Sequence, residues 1–169
     1  SNIMMNAVRD EGVKTKIIAN LWAWSIFSDW TEEMILNGVD CLDKDITVMC
    51  VSETEKDLCR GGVPVKVFDY SISVVGPSDI SLKILKRAKQ NGHKIWAKIQ
   101  VNNSWEISAI PYIPTFGLMV KHIENLKELG VSGLMMGWSL GGYPGGALPL
   151  CNGLCSKEPF DIGAWYDKT

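Results

Sequence analysis

Five short runs of almost unbroken apolar character, at 16–24, 46–52, 65–71, 94–101 and 132–138, set the terms on which this chain can fold. A strand with one wet face alternates apolar and polar side chains, whereas a strand covered on both faces is apolar nearly throughout. These runs therefore read as buried parallel strands. The intervals between them carry a helical period instead. Over 78–90, Ser78 is placed to cap the start, Ile80, Ile84, Leu85 and Ala88 recur at helical spacing, and Asn91-Gly92 ends the segment. A second helix is predicted over 116–129, with Phe116, Met119, Val120, Ile123, Leu126 and Leu129 on one stripe and Gly130 as terminator. A third, over 31–37, starts at Thr31, and 6–11 reads as the tail of a helix feeding the first strand. The link 53–64 is short for a crossover helix and contains Gly61-Gly62.

Repeated strand–helix–strand units imply right-handed crossovers and a parallel sheet. An open doubly wound sheet and an eight-stranded barrel both fit that alternation, so the placement of polar residues has to decide. No glycine-rich phosphate fingerprint follows the first run, which lowers a nucleotide-binding reading. Each run instead ends in polar or aromatic residues: Ser25, Ser28 and Asp29; Glu53; Asp69 and Ser71; Asn102, Asn103, Trp105 and Glu106; Trp138 and Ser139. Several strands each supplying a polar group to one face is the logic of a barrel. The expectation is an α/β chain, 1–169 as a single domain, forming a partial (β/α)8 TIM-type barrel of about five parallel strands, its later part. Five strands cannot close such a barrel, so two open edges are expected, and association of copies through them.

At 169 residues, 46% hydrophobic and 21% charged, the chain can bury one sizeable core. Its formal net charge of −2, with no lysine or arginine block, offers no bulk attraction to nucleic acid or anionic lipid. No apolar run approaches the roughly 20 residues that cross a bilayer, and the opening residues lack the basic and apolar regions of a leader. A soluble chain is expected, without nucleic-acid or membrane partners. The five cysteines are irregularly spaced and read as free thiols; Cys151 and Cys155 would be half a zinc site, but the two histidines, His93 and His122, stand far from them. No metal and no cofactor is expected.

Acid–base work in this sequence falls to carboxylates. A serine hydrolase needs a nucleophile elbow and a histidine at a strand end; G-x-S-x-G is absent, His93 precedes a strand and His122 lies inside a predicted helix. Glycoside hydrolysis needs two carboxyl groups flanking one bond, and Glu106, Glu53, Asp69 and Asp29 are the strand-end candidates. Two of them have plainer roles open to them: Asp29 precedes a helix start, and Glu53 opens the charged run 53–57. Within 94–101, Lys98 and Gln100 alternate with apolar residues and so share one side, where they serve a ligand or pair with Glu53 or Asp69. Seven tryptophans are many for this length. Trp24, Trp105 and Trp138 fall at strand ends, where flat rings either stack on sugar faces or fill the core. Tyr70, Asn102, Asn103 and Tyr143 complete the candidate substrate-binding set, Tyr143 within the glycine-rich stretch 137–146.

At 22–30 (WAWSIFSDW), 68–73 (FDYSIS), 97–106 (AKIQVNNSWE) and 134–144 (LMMGWSLGGYP), the chain resembles the C-terminal part of a family of bacterial glycoside-hydrolase-like barrel proteins, distantly similar to hexosaminidase-type barrels. The resemblance covers most of 16–146 and implies a carbohydrate-active hydrolase, or a non-catalytic carbohydrate-binding or structural relative. It also implies that Asp29 and Glu106 follow the fourth and seventh barrel strands, where the large retaining-hydrolase clan places its acid and nucleophile. Asp29 is preceded by Ser28 and not by the asparagine usual in that clan.

Overall fold

The computed structural model describes residues 1–24, 29–101, 113–137 and 145–168. In chain order the elements are α1 (Asn2–Asp10), β1 (Ile18–Asn20), α2 (Glu32–Asp40), β2 (Thr47–Val51), β3 (Asp57–Arg60), β4 (Val63–Lys66), α3 (Asp79–Gln90), β5 (Ile95–Lys98), α4 (Phe116–Leu129), β6 (Gly133–Met135), α5 (Ala147–Cys155) and α6 (Ile162–Tyr166). The chain is α/β, with one four-stranded parallel sheet ordered β1-β2-β5-β6 and a separate antiparallel pair, β3-β4.

The helices start and stop where the side chains allow. Thr31 Oγ1 accepts from the Met34 N–H to open α2, Ser78 Oγ accepts from the Ser81 N–H to open α3, and Gly130 closes α4 in the left-handed region at φ 84°.

The predicted strand 65–71 is corrected. Residues 63–66 form the return strand of an exposed hairpin, and Val63 and Val65 stand 59% and 50% open to solvent. Its turn is Gly61-Gly62, both at positive φ (57° and 79°), which is the two-residue connection a tight hairpin uses. The hairpin thus interrupts the crossover from β2 to α3, and among the described residues the parallel sheet has four strands where about five were expected.

Alternation along the strands divides the sheet into two unlike faces. Ala19, Val48, Cys50 and Ile95 join Met5 of α1, Ile35 and Val39 of α2 and Ile84, Leu85 and Ala88 of α3 in one core cluster. Ala97, Ile99 and Val101 join Met119, Ile123 and Leu126 of α4 and Leu150, Cys151 and Leu154 of α5 in a second, with Ile162 and Trp165 of α6 packed on it. The register pairs Val48 with Ile95 and Cys50 with Ala97, so both clusters lie on the same side. The opposite face carries Asn20, Met49, Trp96 and Gly133 in one row and Val51, Lys98 and Met135 in the next. Trp96 lies so close over Gly133 that a Cβ there would come 2.2 Å from the ring. Among the described residues strand order follows chain order without reversal and the helices pack on one face, whereas a doubly wound sheet reverses its order and carries helices on both. Among the described residues, β1 and β6 each pair with one neighbour only.

Candidate functional site

The helix-free face acquires its polar character at the carboxyl ends of β2 and β5. Two residues beyond β2, Glu53 is fully buried; Lys98, the last residue of β5, is fully buried too, and Gln100 follows on the same side, 6% exposed. The pairing of Val51 with Lys98 brings 53 opposite 100, and the Gln100 backbone N–H donates to Glu53 Oε1 at 3.3 Å. Buried charges persist only when paired, and the partners come from the chain leaving the hairpin. Lys98 Nζ donates to the Tyr70 hydroxyl and lies 4.4 Å from the centre of that ring. Asp69, half-buried, accepts from the Trp22 indole N–H at Oδ2, 2.8 Å. Residues from the ends of β1, β2 and β5 and from the 67–70 segment thereby meet at one edge.

The electrostatics of this cluster follow from burial opposed by pairing. Asp69 is held above the usual aspartate range by loss of solvent, against the opposing pull of the Trp22 donor and the Lys98 charge. Lys98 is lowered by burial, although Asp69 and Glu53 favour its charged form. The Tyr70 phenol is raised by burial and by the two carboxylates, so it stays neutral at ordinary pH. Among the described residues, Asp69 Oδ1 and Gln100 Nε2 are buried polar atoms without a hydrogen-bond partner.

One residue earlier on the same strand, the chemistry is different. Ser52 faces the helices, and its Oγ lies 2.7 Å from Nε2 of His122 on α4, both buried. Burial, with the nearby Lys56 charge, pushes His122 down to about 4, so the ring is neutral and its 3.8 Å approach to Glu53 Oε1 is not an ion pair. A proton on Nδ1 turns that N–H toward the carboxylate and leaves Nε2 to accept from Ser52. Serine, histidine and glutamate in that order suggest a nucleophilic triad, but Gly76 seals them: a Cβ on Gly76 would stand 2.5 Å from Ser52 Oγ and 2.4 Å from His122 Nε2. No substrate carbonyl can reach a hydroxyl so covered. The set is a packed polar contact that ties α4 to β2.

The remaining sequence candidates fall as follows. Trp24 leaves the site: Ala23 takes a positive φ of 71°, the chain turns, and the Trp24 ring packs against Gly38 of α2 and edge-on to Trp30, 5.0 Å between centroids. Trp22 reaches the cluster instead. Asp29 is exposed, two residues before the Thr31 cap that opens α2. Glu106, Asn102, Asn103, Trp105, Trp138 and Tyr143 lie outside the described residues. The cysteines are free thiols; Cys151 is buried, its Sγ 3.2 Å from Met136 Sδ and its thiol pushed up to about 12 by burial. Among the described residues no cluster of histidine, cysteine, aspartate and glutamate could hold a metal, and no helix is long and apolar enough to cross a membrane. A groove of about 380 Å³ between α4, β6 and α5 is lined mainly by Ile123, Leu126, Leu134 and Met136. Its cation, Lys127, donates to the Leu154 carbonyl, and its titratable neighbours are the thiols Cys151 and Cys155, of which Cys151 is held up by burial and by Cys155.

Sequence reasoning missed Trp22, Ser52 and His122. The parity of β1 could have found Trp22, since it shares a face with Ile18 and Asn20. Nothing local could have paired Ser52 with His122 across 70 residues. Comparison of the chain with protein-family models, with curated proteins and with solved structures finds no match.

Proposed function

We propose that this chain is a sector of a (β/α)8 barrel that binds carbohydrate at the carboxyl ends of its strands, in the manner of a glycoside hydrolase or a non-catalytic relative. The observation that carries the reading is the meeting of Glu53, Asp69, Lys98, Tyr70 and Gln100 at one sheet edge, beside the partly exposed ring of Trp22. Barrel enzymes assemble their sites from the ends of several strands on that face, and sugar sites combine carboxylates with flat rings. Strand order without reversal and helices on one side support the barrel sector. In this reading the carboxylates are Glu53 and Asp69, with Glu106 and Asp29 as the resemblance implies, and Trp105, Trp138, Asn102, Asn103 and Tyr143 line the ligand.

The complete burial of Glu53 favours the binding form over the hydrolytic one, because a nucleophile or acid has to touch the glycosidic centre. Assay of aryl glycosides alongside binding of oligosaccharides decides between them. Hydrolysis abolished by Glu53→Gln supports the enzyme, binding without turnover supports the module, and neither activity contradicts the proposal. The open edges of β1 and β6 are further proposed to take additional strands, so light scattering of the isolated chain should show association that grows with concentration.

A further inference from the structure

We propose that Met136, Cys151 and Cys155 form a site for a thiophilic monovalent metal ion, copper(I), in the groove between α4, β6 and α5 on the helix side of the sheet.

Spacing supplies the first two donors. Cys151 and Cys155 stand four residues apart on α5, so their side chains share one face of the helix a turn apart. Burial, and after it the neighbouring Cys155, hold the Cys151 thiol up, which places the two sulfurs within reach of one another. Thiols, imidazoles and carboxylates alone leave this pair one donor short of a metal cluster among the described residues. Met136 makes up the number. It keeps the helix-facing parity of Leu134, its carbonyl accepts from the Val101 N–H at 3.2 Å, and its Sδ lies 3.2 Å from Cys151 Sγ. All three residues line one groove of about 380 Å³. Metal–sulfur bonds of about 2.3 Å set the sulfurs of a trigonal site about 4 Å apart, so the thioether has to withdraw by less than about 1 Å. Methionine, unbranched and with several rotatable bonds, is suited to that adjustment.

The walls choose the ion. Around the sulfurs the groove is lined by Ile123, Leu126, Val131 and Leu134, and among the described residues by no histidine or carboxylate. Calcium and magnesium need several oxygen ligands, and zinc takes four from imidazole, carboxylate and thiolate. Two thiolates and a thioether suit a soft ion of low coordination number. Binding replaces both S–H protons by metal–sulfur bonds, so two protons leave with each ion bound and no electron moves. The loaded set carries one net negative charge, and the Lys127 ammonium that lines the same groove, 3.0 Å from the Leu154 carbonyl, offsets it. Access runs from Cys155, which is exposed, to Cys151, which is fully buried. An arriving ion meets the open thiol first and exchanges the Cys151–Met136 contact for bonds to the metal.

The test is anaerobic competition of the whole chain with bicinchoninate for copper(I), with X-ray absorption of the loaded protein. One copper(I) should bind per chain, with three sulfur neighbours. Cys151→Ser and Cys155→Ser should each weaken it about hundredfold and Met136→Leu about tenfold. Cys41→Ser with Cys59→Ser removes the other exposed thiols and should leave the affinity unchanged. Cys151 is packed in the core, so if its variant loses near-ultraviolet dichroism the exposed Cys155→Ser decides. Wild-type affinity in Cys155→Ser, or equal weakening in the Cys41 and Cys59 variant, overturns the site. Zinc displacing copper(I) at equal concentration overturns the ion class. Two sulfur neighbours together with unchanged affinity in Met136→Leu overturns the part given to the thioether.

Discussion

Ser52 and Glu53 are consecutive, equally buried, and belong to two different kinds of interior. The Ser52 side chain points into the helix layer, where its Oγ meets His122 and Gly76 closes over the pair. Glu53 belongs to the helix-free side, among a lysine, a phenol, an amide and a second carboxylate, while its Oε1 also lies 3.8 Å from His122 Nδ1. A strand turns successive side chains to opposite faces, so one peptide bond separates a site optimised for packing from one that keeps charge out of water. Burial alone therefore does not mark function. The distinguishing feature is what burial leaves unpaired: nothing at Ser52, but Asp69 Oδ1 and Gln100 Nε2, among the described residues, on the side of Glu53.

The largest expected effect breaks the charged side. Lys98→Met removes the cation that faces the buried Glu53 and the half-buried Asp69 and should cost about 3–5 kcal/mol in urea unfolding, the usual result of stranding a buried charge. Adding Glu53→Gln should restore part of that loss, because the stranded charge is then gone. Equal destabilisation of the single and double variants would show that Lys98 is held by packing alone.

The next effect belongs to the sealed side and is read from pH. His122 has a folded value of about 4 against an ordinary 6.5, so on acidification the unfolded chain takes up the proton first. Its contribution is complete above pH 6.5 and is lost as pH falls toward 4, about 3 kcal/mol over that window at 1.36 per unit. His122→Gln should flatten the stability profile there. An unchanged slope would contradict a neutral, desolvated ring.

Gly76→Ala tests the seal itself, since its Cβ would stand 2.4 Å from His122 Nε2 and 2.5 Å from Ser52 Oγ. Overpacking of this kind costs about 1–3 kcal/mol. Removing the exposed pair Arg87–Asp40 by Arg87→Ala should do least, and salt should shrink the effect further.

The legible parts of this molecule are those whose physics is local. The runs around β2 and β5 showed as strands because both of their faces are covered, and α3 and α4 showed through caps and stripes that act within a few residues. The run 65–71 misled because Val65 and Val67 suit any strand, including an exposed hairpin; the positive-φ pair Gly61-Gly62 was the stronger signal. At the site, alternation placed Lys98 and Gln100 on one side from sequence alone, with Glu53 and Asp69 as partners. What pattern could not supply was direction after a turn: Ala23 at positive φ sends Trp24 to the helices and leaves Trp22 at the cluster. The Tyr70–Lys98 and Ser52–His122 contacts are set by tertiary packing across 28 and 70 residues.

The most direct test of the contrast between the two faces is a nitrogen-15 correlation spectrum of the chain titrated with oligosaccharides. Binding on the helix-free face predicts saturable shifts of the Trp22 indole N–H and the Gln100 side-chain amide, with the His122 imidazole signals unmoved. Shifts centred on His122, or a spectrum indifferent to every sugar, would contradict it.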